Sequence, residues 1–279
     1  MTTARLISNA TARLKALNDP QLDAESLFRG VAGRTRADLL AHPDAPVPPT
    51  VAAAFEAAVS RRERHEPIQY ILGLAAFWRD EFVVTPAVLI PRPDTEILVE
   101  AVAARVRPLA SPALLDLGTG SGCIALSLLR ELPKARAVAL DVSEAALEVA
   151  TRNARRLGLD SRIELRVSRW LEALGPTESF DAIVSNPPYV AREDESSLPE
   201  EVRYEPALAL FADPADELSS YRAILDGIDG RLGPSGLLAF EVGAGQAERV
   251  AALLGTAGYH GIEVLNDLAS IPRVVLGRR

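Results

Sequence analysis

The chain has 279 residues, of which 48% are hydrophobic and 24% charged, a balance typical of globular proteins. Its net charge of −8 argues against binding nucleic acid through a generally basic surface. Cys123 is the only cysteine and the three histidines are scattered, so we expect no intrachain disulfide and no metal site. No apolar run approaches the roughly 20 residues of a membrane span, and the start lacks an apolar leader, which together predict a cytoplasmic protein without membrane contact.

The charge is distributed unevenly along the chain. Residues 1–85 contain 10 basic and 10 acidic residues, so the whole net charge of −8 lies in residues 86–279. An acidic second part suits a cationic cofactor or a basic protein partner better than a phosphate-rich ligand. Solubility alone explains the same excess equally well.

Residues 1–66 predict a small bundle of amphipathic helices. In the first helix, apolar residues recur every three or four positions, at Leu6, Ala10, Leu14 and Leu17. A second helix is expected to begin at Asp23 and a third to cover residues 51–64, with a proline-rich connector over residues 43–49 between them. We assign no chemistry to this segment.

Residues 67–86 predict a β-hairpin that links the bundle to a second domain. Apolar residues alternate there, and Gly73 is expected near the turn. The segment from Val88 then leads into a helix that reaches about Arg107, with Asp94 or Thr95 as its N-cap.

Residues 87–279 predict a doubly wound α/β domain. Strands and helices alternate from Ala113 onward, which indicates a mostly parallel sheet covered on both faces. The short connection before the last strand predicts an antiparallel pair at one edge. The predicted strands are 113–117, 136–140, 162–167, 180–185, 236–242, 261–265 and 272–277. The predicted helices between them are 122–131, 144–157, 218–232 and 246–257.

A glycine-rich loop follows the first of these strands and predicts a site for an adenosine-bearing cofactor. It reads Gly118-Thr119-Gly120-Ser121-Gly122, and Asp141 stands at the end of the next strand, where an acid would bind ribose hydroxyls. The glycines alternate instead of following the dinucleotide spacing, and the loop carries no cation for a pyrophosphate. These features favour the sulfonium cofactor S-adenosylmethionine over a nicotinamide dinucleotide. Trp170, just after the strand 162–167, either stacks on the adenine or belongs to the core.

The most informative motif is Asn186-Pro187-Pro188-Tyr189 at the end of the strand 180–185. Two prolines stop both strand and helix, leaving a stiff turn. The turn offers an amide side chain, backbone carbonyls and one aromatic ring. The Asn186 oxygen and a carbonyl can accept two N–H bonds from a planar amide or ring amine, while Tyr189 stacks on its face.

Several motifs together resemble the HemK/PrmC family of release-factor glutamine methyltransferases. The resemblance covers residues 67–279 well, and the first 60 or so residues resemble the family as a helical bundle of matching size. Besides the glycine loop with Asp116 and the Asn-Pro-Pro-Tyr turn, the matching segments are residues 67–73, 89–96, 205–210 and Glu241-Val242-Gly243 with Gln246.

The resemblance implies a class I methyltransferase with a seven-stranded sheet and a helical N-terminal bundle. Our own hypothesis is that this bundle binds the substrate protein. The resemblance also implies transfer of the methyl group of S-adenosylmethionine to the amide nitrogen of the glutamine in the Gly-Gly-Gln motif of class 1 peptide-chain release factors, leaving S-adenosylhomocysteine. We expect a monomer that does not bind nucleic acid. By position, the cofactor would contact Gly118, Thr119, Gly120, Ser121, Gly122, Asp141, Trp170 and Asn186. The glutamine would contact Asn186, Pro187, Pro188 and Tyr189, with Arg92 and Phe77 helping to line the cleft.

Four alternatives remain open at the level of sequence. A methyltransferase acting on a ribosomal-protein glutamine would share the central motifs. An adenine N6-methyltransferase would also use Asn-Pro-Pro-Tyr, but it needs a phosphate-binding surface that the acidic domain does not suggest. A nicotinamide-dependent oxidoreductase is disfavoured by the glycine spacing, and a non-catalytic adenosine-binding scaffold by the intact tetrapeptide.

Overall fold

The computed structural model describes residues 1–279, which form two compact units. The first contains residues 1–74 together with residues 199–204, and the second contains residues 75–198 and 205–279.

The first unit is a helical bundle. Its helices are α1 (Thr3–Arg13), α2 (Pro20–Ala32), α3 (Arg36–Ala41), α4 (Pro49–Arg62) and α5 (Ile68–Leu72). Phe28 and Phe55 pack edge to face in its core, with ring centroids 5.3 Å apart. Arg62, which is buried, pairs with Asp23 at 2.7 Å and with Glu201 in the segment 199–204.

Several details of the bundle differ from the sequence-based expectation. Helix α1 ends at Arg13, before Leu14 and Leu17, and α4 covers residues 49–62 instead of 51–64. Helix α2 begins at Pro20 and not at Asp23, because Asp19 caps it and proline fits the first helical position. Helix α3 was not predicted, since six residues are too few to show a helical period. A capping box between Thr35 and Asp38 begins it instead.

The predicted hairpin lies later in the chain than expected. Residues 68–72 form α5, and Gly73 ends that helix in the left-handed conformation at φ 74°. The hairpin strands are β1 (Leu74–Phe77) and β2 (Asp80–Val83), with the turn at residues 78–79. An alternating pattern of five residues fits one helical turn and one strand equally well, which explains the error.

The second unit is built on a seven-stranded sheet, as predicted. Its strands are β3 (Ala113–Leu117), β4 (Arg136–Asp141), β5 (Ile163–Val167), β6 (Phe180–Ser185), β7 (Leu232–Glu241), β8 (His260–Asn266) and β9 (Pro272–Arg278). The order across the sheet is β5-β4-β3-β6-β7-β9-β8. The first five strands are parallel, and β9 runs antiparallel to both neighbours, which confirms the antiparallel edge.

The helices of this unit are α6 (Glu96–Val106), α7 (Cys123–Glu131), α8 (Glu144–Leu157), α9 (Ala207–Leu210), α10 (Ser219–Gly227) and α11 (Ala247–Thr256). Helix α10 ends at Gly227, five residues before its predicted end at residue 232. It ends early because Gly230 takes a left-handed turn at φ 74° and β7 starts two residues later. None of the helices combines the length and the apolar character that a bilayer span requires.

The central strands are buried on both faces, as a parallel sheet between helices requires. Along β6, Ala182 and Val184 belong to one hydrophobic cluster and Ile183 to the cluster on the opposite face. The chain leaves β3 toward β4 on one side and reaches β6 on the other, so the strand order reverses between β3 and β6. Ligands of open α/β sheets bind at this reversal, beyond the carboxyl ends of the strands. The glycine loop follows β3 and Asn186 follows β6.

Candidate active site

A cavity of about 580 Å³ opens at the reversal point of the sheet. Loops after β3, β4, β5 and β6 all contribute to it. The candidate residues that line it are Gly118, Thr119, Gly120, Ser121, Asp141, Trp170, Asn186, Pro188 and Arg92. The candidates Gly122, Pro187, Tyr189 and Phe77 are not among the lining residues.

The glycine loop is held against the end of β4 by backbone hydrogen bonds. The N–H groups of Gly118 and Thr119 both donate to the Leu140 carbonyl, at 2.8 and 3.0 Å. Gly120 has φ 55°, a conformation that favours glycine, and its N–H donates to Asp141 Oδ2 at 2.8 Å. Gly122 also has positive φ, but it begins α7 and faces the packing of α7 on α8 instead of the cavity.

Asp116, at the penultimate position of β3, is fully buried beneath the loop. Its Oδ2 atom accepts hydrogen bonds from Thr119 Oγ1 at 2.7 Å and from the Ala125 N–H at 3.3 Å. Its Oδ1 atom has no partner. Burial raises the pKa of Asp116 to about 7, and this effect outweighs the two hydrogen bonds, which lower the pKa. The loop therefore holds an acidic group with an unused acceptor.

Asp141, at the end of β4, uses both carboxylate oxygens to fix the surrounding backbone. Oδ2 accepts from Gly120 as described, and Oδ1 accepts from the Ser143 N–H at 2.9 Å, just before α8. Burial raises the pKa of this carboxyl, while its backbone hydrogen bonds lower it. A carboxylate offers about four acceptor positions, so capacity remains on the cavity side.

Trp170 lies between the cavity and the hydrophobic core. The residue lines the cavity and also packs partly against the apolar cluster that contains Leu171. Its backbone has φ 49°, which is unusual for a bulky side chain. Ser168 Oγ donates to the Trp170 carbonyl at 2.9 Å and accepts from the Ala173 N–H at 3.0 Å, which fixes the turn.

Asn186 reaches the cavity from the strand next to the glycine loop. Ser185, the residue before it, donates from Oγ to the Leu117 carbonyl at 2.7 Å and ties the ends of β6 and β3 together. Asn186 Nδ2 donates to Thr95 Oγ1 at 3.4 Å. Thr95 is the N-cap residue of α6, as predicted, but its side chain makes no cap hydrogen bond. Thr95 faces Asn186 and the cavity instead.

Tyr189 was expected to line the cleft, but it lies elsewhere. Its carbonyl accepts a hydrogen bond from Gln246 Nε2 at 3.0 Å. The Tyr189 ring packs so closely on Gly243 that a Cβ there would lie 3.0 Å from ring atom Cδ2. Burial raises the pKa of the Tyr189 hydroxyl. Tyr189 is not among the residues that line the cavity, whereas Pro188 before it is.

Arg92 lines the cavity and pairs with the buried Glu205, which also accepts from the Ile90 N–H at 3.0 Å. Phe77 does not line the cavity, and that expectation is wrong. Its ring packs edge to face on Phe82 in the hydrophobic core, with ring centroids 6.0 Å apart. Burial of this large apolar ring stabilises the fold.

Three residues beside the site were given no role in it from the sequence: Glu205, Glu241 and Thr95, which was predicted only as an N-cap. Glu241 is the last residue of β7, one strand beyond Asn186, and is 2% exposed. Burial raises its pKa to about 7, while hydrogen bonding by Thr95 and Asn186 lowers it. The same signal that marked Asp141, an acid at the carboxyl end of a central strand, would have found Glu241. No local signal marks Thr95 or Glu205.

Two family models match the chain. The PrmC N-terminal domain matches residues 5–73, and the methyltransferase small domain matches residues 93–203. Among solved structures, the catalytic domain of hMettl16 in complex with a MAT2A 3′UTR hairpin superposes with a TM-score of 0.60 at 16% identity, covering 90% of this chain and 91% of that chain. Sheet order, glycine loop and family models together define a methyltransferase.

Relatives over the full length narrow the class to one family. The release factor glutamine methyltransferase of Moorella thermoacetica is 44% identical over 100% of this chain and 99% of its own length. The protein of the same name from Bordetella pertussis is 45% identical over 91% of this chain and 93% of its own length. The chain belongs to the family of release factor glutamine methyltransferases.

Proposed function

We propose that this enzyme transfers the methyl group of S-adenosylmethionine to the side-chain amide nitrogen of the glutamine in the Gly-Gly-Gln motif of class 1 release factors. One observation carries the proposal. The glycine loop and Asn186 line the same cavity, from neighbouring strands joined at Ser185 and Leu117. A cofactor in the loop and an amide held at Asn186 would therefore meet.

The residues around the glycine loop fit S-adenosylmethionine. The unpartnered Asp116 Oδ1 beneath the loop suits a cationic group, and no lysine or arginine lies within residues 116–122 to oppose it. Asp141 has acceptor capacity for ribose hydroxyls, and Trp170 offers a ring face for adenine. The remaining proposed contacts are Gly118, Thr119, Gly120, Ser121, Gly122 and Asn186. The bound cofactor would supply an electrophilic methyl group on a sulfonium.

The amide nitrogen that receives the methyl group needs to be positioned more than it needs a general base to remove its proton. Its nitrogen lone pair is delocalised into the carbonyl, which makes it a weak nucleophile. We assign Asn186 Oδ1 and the Pro187 carbonyl as acceptors for the two amide N–H groups, which orients the nitrogen and stabilises the positive charge that develops on it. Pro188 and Tyr189 keep the turn rigid, through the proline ring and the bond from Gln246 to the Tyr189 carbonyl. Arg92 lines the acceptor side of the cavity.

The test is a methyl-transfer assay with several acceptors. The protein is incubated with methyl-labelled S-adenosylmethionine and, separately, with a class 1 release factor, the same factor with its Gly-Gly-Gln glutamine replaced, a ribosomal-protein preparation and adenine-containing DNA. Label on the intact factor alone supports the proposal and identifies the acceptor residue.

Other patterns of labelling would contradict the proposal. Equal label on the factor without its glutamine would place the acceptor elsewhere in that protein. Label on the ribosomal proteins alone would move the acceptor to another glutamine-bearing protein. Label on DNA would favour an adenine methyltransferase.

We also propose a division of labour along the chain, with a substrate-protein-binding bundle over residues 1–66, a hairpin linker over residues 67–86 and a catalytic domain over residues 87–279. The bundle exposes Leu40 by 76%, an apolar group available to a partner. Leu40→Asp is expected to raise the KM for the intact factor and not for a short Gly-Gly-Gln peptide. An unchanged KM for the intact factor would count against this contact.

A further inference from the structure

Three side chains from three separate segments meet behind the cavity. Asn186 follows β6, Thr95 stands directly before α6, and Glu241 ends β7. Thr95 and Glu241 are each 2% exposed, so neither exchanges hydrogen bonds freely with water. Asn186 alone of the three is only partly buried, and with Thr95 it lines the cavity.

The hydrogen bonds in this group have one consistent direction. Asn186 Nδ2 donates to Thr95 Oγ1 at 3.4 Å. A threonine hydroxyl has a single proton, and a carboxylate can only accept. Glu241 follows Phe240, the register partner of Ser185, so it stands beside Asn186 at the end of the next strand. Hydrogen bonding by Thr95 and by Asn186 lowers the pKa of the Glu241 carboxyl, against burial, which raises it. Asn186 Nδ2 and the Thr95 hydroxyl are therefore the donors of this group, and Glu241 is its acceptor.

We propose that Thr95 and Glu241 are positioning residues that fix which end of the Asn186 amide faces the cavity. With Nδ2 engaged by Thr95, the other end of the amide, Oδ1, is left for the acceptor substrate. The inference rests on the proposed function, because it gives Oδ1 the task of accepting an N–H from the substrate amide.

The opposite orientation would prevent binding of that amide. An asparagine side chain can rotate by about 180° about its last torsion, exchanging donor and acceptor ends at little steric cost. Its NH₂ group would then face the NH₂ group of the substrate, two donors without an acceptor. Glu241 opposes this state, because its carboxylate form can only accept and would face the Asn186 oxygen, a second acceptor, if the amide were rotated.

The first test compares Thr95→Val, which keeps the shape and removes the hydroxyl, with Thr95→Ser, which restores it. Thr151→Val is the matched control, because the Thr151 hydroxyl donates only to the Leu147 carbonyl within α8. Thr95→Val is expected to lower kcat by about 10- to 100-fold, as loss of a supporting contact commonly does. Thr95→Ser should recover most of that loss, and Thr151→Val should retain wild-type kcat. The dissociation constant of S-adenosylmethionine should change by less than about threefold in all three.

A double-mutant cycle separates positioning from general destabilisation. If Thr95 and Glu241 act through Asn186, then adding Thr95→Val or Glu241→Gln to Asn186→Ala should lower kcat no further. Full additivity of the losses, or wild-type kcat in Thr95→Val, would overturn the inference. If the enzyme methylates a different amide or amine, the same mutant cycle is measured with that acceptor.

A measurement without activity distinguishes failure of this inference from failure of the proposed function. In protein labelled with ¹⁵N-asparagine, the Asn186 side-chain NH₂ protons should exchange with water at least about tenfold more slowly in the wild type than in Thr95→Val. Equal exchange rates would overturn the inference even if release factors are methylated. Slow exchange in a chain that labels no release factor would retain the inference and overturn the proposed acceptor.

Discussion

The two sides of the cavity are held in different ways. On the cofactor side, backbone N–H groups of the glycine loop bind the end of β4. Gly118 and Thr119 donate to the Leu140 carbonyl, and Gly120 donates to Asp141, 21 positions away in sequence. On the acceptor side, Asn186 is held by Thr95, which lies 91 positions away in sequence. The cofactor side is thus a backbone structure, whereas the acceptor side depends on tertiary packing of side chains.

This difference predicts how each side responds to mutation. The hydrogen bonds from Gly118 and Thr119 to the Leu140 carbonyl join backbone atoms and survive most side-chain changes, so the cofactor side should lose affinity in moderate steps. A side-chain network is non-additive and fails as a unit. The acceptor side should therefore lose rate steeply when any member is removed.

The largest effect is expected for Asn186→Ala. Removing one positioned acceptor from the reacting group should lower kcat by roughly 10²–10³. The dissociation constant of S-adenosylmethionine, measured by calorimetry, should change far less, because the glycine loop and Asp141 remain. Comparable losses in kcat and in cofactor affinity would show that the two sides are not separate.

The next largest effect is expected for the pH dependence of stability, through Glu241, the buried acid of the acceptor side. Burial raises the pKa of Glu241 to about 7 from 4.5; Thr95, Arg273 and Asn186 lower it and Asp94 raises it. Because the folded state holds this proton more tightly than the unfolded state, the free energy of unfolding should fall as pH rises from about 4.5 to about 7. Over this pH range, the titration of Glu241 should lower the free energy of unfolding by about 3 kcal/mol.

Glu241→Gln cannot titrate and provides the comparison. Urea unfolding at several pH values should show the variant gaining stability relative to the wild type by about 3 kcal/mol between pH 4.5 and pH 7.5. Parallel pH curves for the two proteins would mean that Glu241 has an ordinary pKa, and would weaken the case for a buried carboxylate behind Asn186.

Asp141→Ala tests the cofactor side. A hydrogen bond to a charged group contributes about 1.5–3 kcal/mol, so affinity for S-adenosylmethionine should fall by about 10- to 100-fold. At saturating cofactor, kcat should fall much less than in Asn186→Ala. Unchanged affinity would show that Asp141 only supports the Gly120 and Ser143 backbone, as the structure already shows it doing.

The smallest effect separates glycine conformation from glycine packing. Gly122→Ala should destabilise the fold by about 1–2 kcal/mol, because φ is 80° and the new Cβ would lie 3.1 Å from Leu126 and 3.3 Å from Ala150. Gly158→Ala is the control, since it has φ 68° with open space around it. Thermal unfolding should show the larger loss for Gly122→Ala. Equal losses would leave only the backbone conformation as the reason for glycine at position 122.

Sequence reasoning succeeded where structure is determined locally. The bounds of β3, β6 and α8 matched the prediction residue for residue, because period, turn glycines and caps lie within each segment. The cavity-lining positions of the glycine loop, Asp141 and Asn186 followed from parallel strands ending at one edge.

The failures have an equally physical cause. The role of Thr95 depends on partners at positions 186 and 241, which no local pattern encodes. Tyr189 was expected in the cleft because its aromatic ring could stack on the substrate amide, but the ring packs on Gly243. Short elements such as α3 and α5 are too brief for periodicity to separate helix from strand.

The most direct test of the account is to locate the transferred methyl group by mass spectrometry. A class 1 release factor is incubated with S-adenosylmethionine and either the wild-type enzyme or Asn186→Ala, and the peptide containing Gly-Gly-Gln is fragmented. We expect one added methyl group on the glutamine side-chain nitrogen with the wild type, and almost none with the variant at equal cofactor occupancy. A methyl group on any other residue, or equal methylation by the variant, would contradict the claim that Asn186 holds a glutamine amide beside the cofactor.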